Sequence, residues 1–418
     1  MGGSLAFDFT GFARFNHRQL FRSRGTPYRL TPRRIGSLLL SYSIYTLVEL
    51  VTWAGFLADD IFFRGYRNVE IREPVFILGN PRSGTTFLHR LLAKDEHTFT
   101  CTHMWEALAA PSVAQRRVVQ VLGAVDRVLG RPLDTLVTRW RKQWQEENVM
   151  HGIDLRAPEE DQYLLVHAWS TLAVWLFTAI LEEARPYLYF DSEMPSADKA
   201  RIMGFYKSCI RRHLFAQRGD RHQFKRYLSK NPSASPKVDA LYASFPGAKI
   251  VYLARNPLEV IPSYISLLDY AWRVVGDPVQ PYDARDFVLE MARHWYSYPL
   301  ERLARAPEAS YAVVNFEDLV RDAERTVAGI YDRFGFEMTP GFAQVLREEA
   351  EAARSHTSRH EYRLEEMGLT REQIVTAFGD IFDRFGFDRE PAGSERRREL
   401  ARQSTSRVRR ARRRLATS

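Results

Sequence analysis

Short apolar runs rich in β-branched and aromatic residues recur along the chain, with helical patterns between them. The runs lie within Pro74–Gly79, Lys225–Pro232, Ala248–Pro257 and Ser310–Leu319. Strands that alternate with helices predict a parallel sheet whose strands are joined by crossover helices. The pattern therefore predicts an α/β fold in which helices flank a central parallel sheet.

Two longer segments are apolar over most of their length. The first, Ile35–Phe63, predicts one amphipathic helix with a narrow polar stripe. The stripe consists of Ser37, Ser41, Glu49, Thr52 and Asp59. A helix of this length is able to span a bilayer, whereas Glu49 and the stripe favour lying in a membrane interface or packing on the protein body. The second segment, Gln162–Leu181, predicts another apolar helix.

The positive charge is concentrated at the two ends of the chain. Residues 394–418 contain ten arginines and two glutamates, and residues 1–34 contain seven arginines and one aspartate. The net charge is +9, so residues 35–393 carry −5. We expect a basic segment 1–34, the amphipathic helix 35–63, an α/β domain 74–388 and a disordered arginine-rich tail 394–418. The tail could contact anionic lipid, whereas nucleic acid is not the expected partner.

The cysteine content and the basic N-terminus indicate in which cellular compartment the protein is found. Two cysteines, Cys101 and Cys209, cannot build a disulfide framework and lack metal-ligand spacing, so no metal is expected. No Asn-x-Ser/Thr acceptor is present, because Pro232 follows Asn231. The positive-inside rule keeps a basic N-terminus in the cytoplasm. These features predict a cytoplasmic protein, with peripheral contact at the inner face of the membrane through the helix 35–63 and the tail.

The segment "GNPRSGTTFLH" links the first predicted strand to a helix and has the composition of an anion cradle. Arg82 supplies a fixed charge, Gly84 allows close backbone approach, and Ser83, Thr85 and Thr86 supply hydroxyls. The N–H groups at the start of the helix add further donors. The segment is not a mononucleotide P-loop, because it lacks Gly-Lys-Ser/Thr.

A second motif, "VYLARNPLEVIPSYISLL", follows the strand at Ala248–Pro257. Arg255 ends that strand, and Ser263 lies two turns into the next helix. Ligands of open α/β sheets bind at the carboxyl ends of the strands, where both motifs place their side chains. Arg255 and Ser263 are therefore placed to converge on a second phosphate.

Together the two motifs resemble those of sulfotransferases that use 3′-phosphoadenosine 5′-phosphosulfate (PAPS). "NPRSGTTFLH" resembles the 5′-phosphosulfate loop of that family, and "LARNPLEVIPSY" resembles its 3′-phosphate motif. Shorter segments resemble the bacterial branch, namely "MWE" at 104–106, "LSKNP" at 228–232 and "HEYRLEEMGL" at 360–369. The resemblance covers residues 74–385 and implies PAPS as co-substrate, PAP as product and no metal.

Roles for individual residues follow from this resemblance. It implies that Ser83, Gly84, Thr85 and Thr86 hold the 5′-phosphosulfate, that Arg82 neutralises the transferring group, and that Arg255 and Ser263 hold the 3′-phosphate. In-line sulfuryl transfer also needs a base and a positive charge on the leaving oxygen. Glu106 in "MWE" is the candidate base, and Lys230 in "LSKNP" is the candidate cation.

Two features of the sequence leave the identity of the catalytic base undecided. Related bacterial sequences often carry a histidine after the proline of the Lys230 motif, where this chain has Ser233-Ala234-Ser235. Other histidines that could serve are not ranked by the sequence: His103, His151, His167 and His294. The carboxylates of "APEEDQ" at 157–162 predict a solvated helix cap, although contact with the acceptor is the alternative.

The predicted activity is sulfuryl transfer from PAPS to a hydroxyl acceptor. The two apolar segments and the aromatic content of 13% favour a lipid-like or otherwise apolar alcohol, although both segments could simply cover the sheet. Two other interpretations stay open: a nucleotide-binding kinase or hydrolase with an atypical phosphate loop, and a non-catalytic membrane adaptor. The sequence does not name the acceptor or the oligomeric state.

Overall fold

A computed structural model describes residues 6–132, 156–217, 224–275, 282–354 and 363–389, together with positions 135, 138 and 280. The strands are β1 (Val75–Gly79), β2 (Phe99–Thr100), β3 (Arg226–Lys230), β4 (Lys249–Ala254) and β5 (Tyr311–Asn315). The predicted tail 394–418 and His151 lie outside the described residues.

Helices make up most of the described chain. The α-helices are α1 (Phe9–Phe21), α2 (Pro32–Phe62), α3 (Thr85–Leu92), α4 (Met104–Ala109), α5 (Val113–Val128), α6 (Leu172–Phe177), α7 (Arg185–Leu188), α8 (Phe190–Glu193), α9 (Ser196–Gln217), α10 (Val238–Ser244), α11 (Pro257–Val275), α12 (Arg285–Leu303), α13 (Phe316–Arg321), α14 (Ala323–Phe334), α15 (Pro340–Arg354), α16 (Arg371–Ala377) and α17 (Gly379–Phe385). The 3₁₀ helices are Arg64–Asn68, Asp161–Ala168, Leu181–Glu183, Pro232–Lys237, Glu308–Ser310 and Leu364–Met367.

The described strands form one parallel sheet in the order β2-β3-β1-β4-β5. Every residue of β1 is buried, as expected for a central strand covered on both faces. Successive β1 side chains point to opposite faces, so Val75 and Ile77 join one core cluster while Phe76 and Leu78 join the other. The predicted α/β fold with a central parallel sheet is confirmed. Both cysteines are free and buried.

The predicted apolar helix at 162–181 is wrong. The segment forms the 3₁₀ helix Asp161–Ala168 and then the short α6, with a break at Trp169. Trp169 has a φ of 50°, in the left-handed region that ends a helix. Thr171 then caps α6 by accepting a hydrogen bond from the N–H of Ala173. Apolar composition alone did not reveal this break.

Helix α2 packs on the body with the second half of its polar stripe turned inward, whereas Ser41 in the first half is exposed. Glu49, Thr52 and Asp59 are buried, and the Glu49 carboxylate lies 2.7 Å from Nδ1 of His167. The helix is long and apolar enough to cross a membrane by length and composition, and only 11% of its most apolar 18-residue window is buried. The polar side of α2 thus faces the protein and its apolar side faces outward.

Asp59 connects α2, α5 and α9. Its carboxylate accepts hydrogen bonds from the N–H groups of Val113 at 2.9 Å and Ala114 at 2.8 Å, and from Nε of Arg212 at 2.9 Å. The two backbone bonds satisfy the start of α5, where a helix has free N–H groups and favours negative charge. A single buried carboxylate therefore fixes the end of α2 to two other helices.

We expect Asp59→Ala to lower the free energy of unfolding by about 3–5 kcal/mol, because it leaves a buried guanidinium without its nearest carboxylate. Urea denaturation followed by circular dichroism measures the change. Asp380→Ala is the matched control, since its partner Arg293 is 44% exposed and an exposed pair contributes less than about 1 kcal/mol. Equal losses in the two variants would contradict the role of Asp59.

Candidate active site

The loop between β1 and α3 is shaped by glycines. Gly84 has a φ of 93°, and a Cβ atom there would lie 2.2 Å from the Phe316 ring. A Cβ atom at Gly79 would lie 2.4 Å from the carbonyl oxygen of Leu253. The loop therefore folds tightly between β4 and α13 and brings the start of α3, at Thr85 and Thr86, to the carboxyl edge of the sheet. N–H groups at a helix start bind anions.

The two sequence motifs meet at this edge. Nε of Arg82 donates to Oγ of Ser263 at 2.9 Å, and Nη1 of Arg255 donates to the carbonyl oxygen of Arg82 at 3.2 Å. Arg255 is held from the other side by Glu259, with 2.7 Å between Nε and Oε2, and its guanidinium lies 4.4 Å from the centre of the Phe316 ring. β1 and β4 are neighbours in the sheet, which explains why motifs so distant in sequence converge.

Lys230 ends β3 and extends under the loop. Its ammonium donates to Oε1 of Glu159 at 2.7 Å, to Oε1 of Glu160 at 3.0 Å and to Oγ1 of Thr86 at 3.1 Å. The side chain of Lys230 is 1% exposed, so these three oxygens replace its water. Lys230 therefore joins the start of α3 to the acidic segment that precedes the 3₁₀ helix Asp161–Ala168.

The predicted solvated helix cap at 157–162 is wrong. Glu159 and Glu160 are about 20% exposed and pair with the buried Lys230. Asp161 is buried, where its carboxylate accepts hydrogen bonds from the hydroxyls of Tyr206 and Tyr227. These partners lie at least 45 positions away in the sequence, so local composition gave no sign of them.

A cavity of about 390 Å³ opens above the loop. Its polar end is lined by Arg82, Gly84, Thr85, Thr86, Glu160, Gln162, Ser233 and Arg255. Its apolar wall is lined by Tyr163, Ala173, Leu176, Phe177, Tyr264 and Leu267. The apolar wall comes from the broken segment 161–177 and from α11. One cavity thus combines anion-binding groups with a hydrophobic surface.

Most of the predicted donor residues lie at this cavity, but not all of them border it. Ser83 is fully buried, and its backbone N–H is bonded to the carbonyl of Asn80. Ser263 contacts the site through Arg82, and Lys230 contacts it through Thr86 and Glu160. The described residues contain no group of three or more His, Cys, Asp or Glu side chains able to hold a metal ion.

Glu106, the predicted base, does not line this cavity. It is 3% exposed and lies 3.1 Å from Nη1 of Arg116, and it accepts the backbone N–H of His103 at 2.9 Å in a capping box at the start of α4. Burial alone would raise its pKa, but the hydrogen bond from His103 and the charges around it lower the pKa of Glu106 to about 2. Glu106 is thus a buried, paired carboxylate outside the lining of this cavity, and its role as the base stays a prediction.

The described histidines are also placed away from the cavity lining. His103 contacts Glu106, His167 bridges Glu49 and the carbonyl of Ala107, and His294 packs between Tyr189 and Tyr298. The carboxylate that does border the cavity is Glu160. The sequence kept acceptor contact by the segment 157–162 only as an alternative, because the position of Glu160 depends on Lys230, seventy positions away.

Comparison with known proteins places this geometry in a family. The family model described as "Sulfotransferase family" matches residues 74–340. The omega-hydroxy-beta-dihydromenaquinone-9 sulfotransferases Stf3 of Mycobacterium bovis and Mycobacterium tuberculosis are each 26% identical over 368 residues, which cover 84% of this chain and 85% of theirs.

Solved structures share the fold. Sulfotransferase STF9 from Mycobacterium avium gives a TM-score of 0.63 at 18% identity, over 80% of this chain and 82% of that one. Sulfotransferase STF1 from Mycobacterium tuberculosis H37Rv gives a TM-score of 0.57 at 21% identity, over 90% of this chain and 88% of that one. The resemblance drawn from the two loop motifs is thereby confirmed. The chain belongs to the sulfotransferase family and is an enzyme that transfers a sulfuryl group.

Proposed function

We propose that this enzyme transfers the sulfuryl group of PAPS to the hydroxyl of an apolar, lipid-like acceptor. The observation that carries the proposal is the single cavity with an anion-binding end and an apolar wall. Family membership supports PAPS as the donor. The Stf3 relatives, at 26% identity, are named for a hydroxylated dihydromenaquinone, which is consistent with an apolar acceptor.

The residues at the polar end fit a doubly anionic donor. Gly84 leaves room that a Cβ atom would fill, and the start of α3 offers N–H groups there. Thr85 and Thr86, together with the backbone N–H of Gly84, would hold the 5′-phosphosulfate, with Arg82 beside them, whereas the N–H of Ser83 is already bonded to Asn80. Arg255 and Ser263, which both contact Arg82, would hold the 3′-phosphate.

When bound, PAPS supplies an activated sulfuryl group on a phosphate leaving group. Lys230 lies 3.1 Å from Thr86 at the start of α3, where its positive charge would stabilise the oxygen on which negative charge develops. The pairing with Glu159 and Glu160 fixes the ammonium in advance, so little reorganisation is needed. We assign Lys230 to the leaving oxygen and Arg82 to the transferring group.

Glu160 is the base that the geometry favours in place of Glu106. It is the carboxylate among the residues that line the cavity, and it stands between the loop and the apolar wall. An acceptor hydroxyl held by Tyr163, Leu176 and Tyr264 would approach the donor end past this carboxylate. Glu160 would accept the hydroxyl proton as the oxygen attacks.

The apolar acceptor also supports a cellular placement. We propose that the enzyme works in the cytoplasm at the inner face of the membrane, where a lipid-like alcohol is found and a cytosolic nucleotide donor is available. Contact would come from helix α2 and from the basic tail 394–418, which lies outside the described residues.

Donor binding is tested by thermal unfolding with PAP, ATP or ADP at equal concentrations. PAP at about 100 times its dissociation constant should stabilise the fold by about 2.7 kcal/mol, and the adenosine phosphates should not. Arg255→Ala should remove the effect, whereas the exposed Arg293→Ala should keep it. Equal stabilisation by ATP would favour the kinase or hydrolase interpretation and would overturn the donor assignment.

The base is tested by three matched glutamate-to-glutamine variants. We expect Glu160→Gln to lower kcat by about 10²–10⁴-fold while PAP binding is retained, because general-base catalysis contributes that much. Glu159→Gln should have a smaller effect, since Glu159 contacts Lys230 but does not line the cavity. Glu106→Gln should lower thermal stability more than turnover, because its partner Arg116 is buried.

Turnover of radiolabelled PAPS with a panel of long-chain alcohols provides the measurement. A folded Glu106→Gln variant with greater loss of kcat than Glu160→Gln would reinstate Glu106 as the base. Full turnover in Glu160→Gln would remove Glu160 from the mechanism. Loss of turnover with PAP binding retained would also exclude a non-catalytic adaptor.

A further inference from the structure

Helix α2 has the reverse of the usual polarity for a helix on a protein surface. Three of its five charged residues, Arg34, Glu49 and Asp59, are buried against the body, and Arg33 and Asp60 stand at its two ends. Its large apolar residues are turned outward, with more than 60% exposure at Leu39, Leu40, Leu47, Leu50, Leu57 and Phe62. A surface helix of a water-soluble protein normally buries its apolar stripe. The outer face of α2 is therefore built for apolar surroundings.

Helix α5 repeats this reversal. Its exposed apolar residues are Val118, Val119, Val121, Leu122, Val125 and Val128, most of them at the spacing of one helix face, and the exposed Leu129 follows the helix. Its buried residues include Gln115, Arg116 and Asp126. The start of α5 is bonded to the end of α2 through Asp59, and Gln115 donates to Oγ1 of Thr52 at 3.3 Å. The two adjoining helices thus both expose large apolar residues, which soluble proteins leave in water only as small patches.

We propose that α2 and α5 form a membrane-docking face that seats the enzyme on an anionic lipid bilayer. In this arrangement α2 lies in the plane of the membrane interface. The proposal extends the cellular placement proposed above and rests on it for the source of the acceptor.

The contacts of α2 exclude a spanning orientation while the fold is intact. Nη2 of Arg34 donates to the carbonyl of Thr178 at 3.1 Å near one end, Glu49 pairs with His167 in the middle, and Asp59 pairs with Arg212 near the other end. A spanning helix would be surrounded by lipid and would lose these partners, leaving charged groups in hydrocarbon. An in-plane helix keeps all three contacts and buries only its outer face.

Charge around the face favours anionic lipid over a second copy of the chain. Between Arg34 and Asp59 the one charged residue is Glu49, which is buried. The exposed charged residues of α5 are Arg117 and Arg127, and the exposed Arg29 and Arg33 precede or begin α2. A second copy would present an equally basic set of arginines, which offers this face no opposite charge. An anionic bilayer would meet both the apolar face and its basic rim.

The docking face is connected to the cavity. Glu49 of α2 lies 2.7 Å from His167, which belongs to the 3₁₀ helix Asp161–Ala168. Tyr163 of the same 3₁₀ helix lines the apolar wall, and Glu160 immediately precedes it. The element that meets the acceptor is thus bonded directly to the helix that meets the membrane. An acceptor dissolved in the bilayer would then have a short route to the cavity.

Vesicle flotation tests the docking face with the full chain and with neither donor nor acceptor present. Vesicles of phosphatidylcholine with phosphatidylglycerol are compared at low salt and at about 1 M salt, where screening confines charge effects to about 3 Å. The wild type should float under both conditions. A variant with Leu47→Asp, Val121→Asp and Val125→Asp should lose at least about tenfold in partitioning, because binding scales with buried apolar area.

Val320→Asp is the matched control, since Val320 is 40% exposed on α13 and lies outside this face; it should float like the wild type. Retained stabilisation by PAP shows that the triple variant is folded. If the triple variant floats as well as the wild type, or if the wild type no longer floats at high salt, the basic tail is what binds the vesicles. Either result would overturn the proposal. If the wild type does not bind vesicles but self-associates in sedimentation experiments, and the triple variant does not self-associate, the face binds a second copy of the chain instead. None of these outcomes bears on sulfuryl transfer.

Discussion

The buried ammonium group of Lys230 is the interaction on which the site depends. Removing an ammonium from water costs several kcal/mol unless oxygens replace its hydration, and Glu159, Glu160 and Thr86 supply those oxygens. These contacts of Lys230 bring together the end of β3, the start of α3 and the acidic segment before residue 161. The same arrangement defines the polar end of the cavity and positions Glu160 beside the apolar wall. Packing and chemistry are therefore set by one pairing.

Much of the donor end could be predicted from the sequence, because its elements are local. A glycine-containing loop between a strand and a helix, and an arginine at the end of another strand, carry their geometry in short motifs. Parallel strands then place both motifs at one edge of the sheet. The bond from Arg82 to Ser263 shows that the two motifs do meet. The roles of these residues toward the donor remain predictions.

The base and the apolar elements depended on long-range contacts that a single sequence does not show. Glu106 matched a short motif, yet its place in the fold is a buried capping box beside Arg116. Glu160 read as solvated because its partner Lys230 is distant in the chain. The polar stripe of α2 was visible in the sequence, but periodicity does not tell which side faces the body. Buried partners such as His167 and Arg212 decide that the charged side faces inward.

The most direct test of the account is a crystal structure of the enzyme with PAP bound. The account predicts the 5′-phosphate oxygens within hydrogen-bond distance of the N–H groups of Thr85 and Thr86, with Lys230 beside them. It also predicts the 3′-phosphate on Arg255 and Ser263, and an open apolar wall beyond Glu160. A nucleotide bound away from the loop, or a 5′-phosphate that contacts neither α3 nor Lys230, would contradict the central claim.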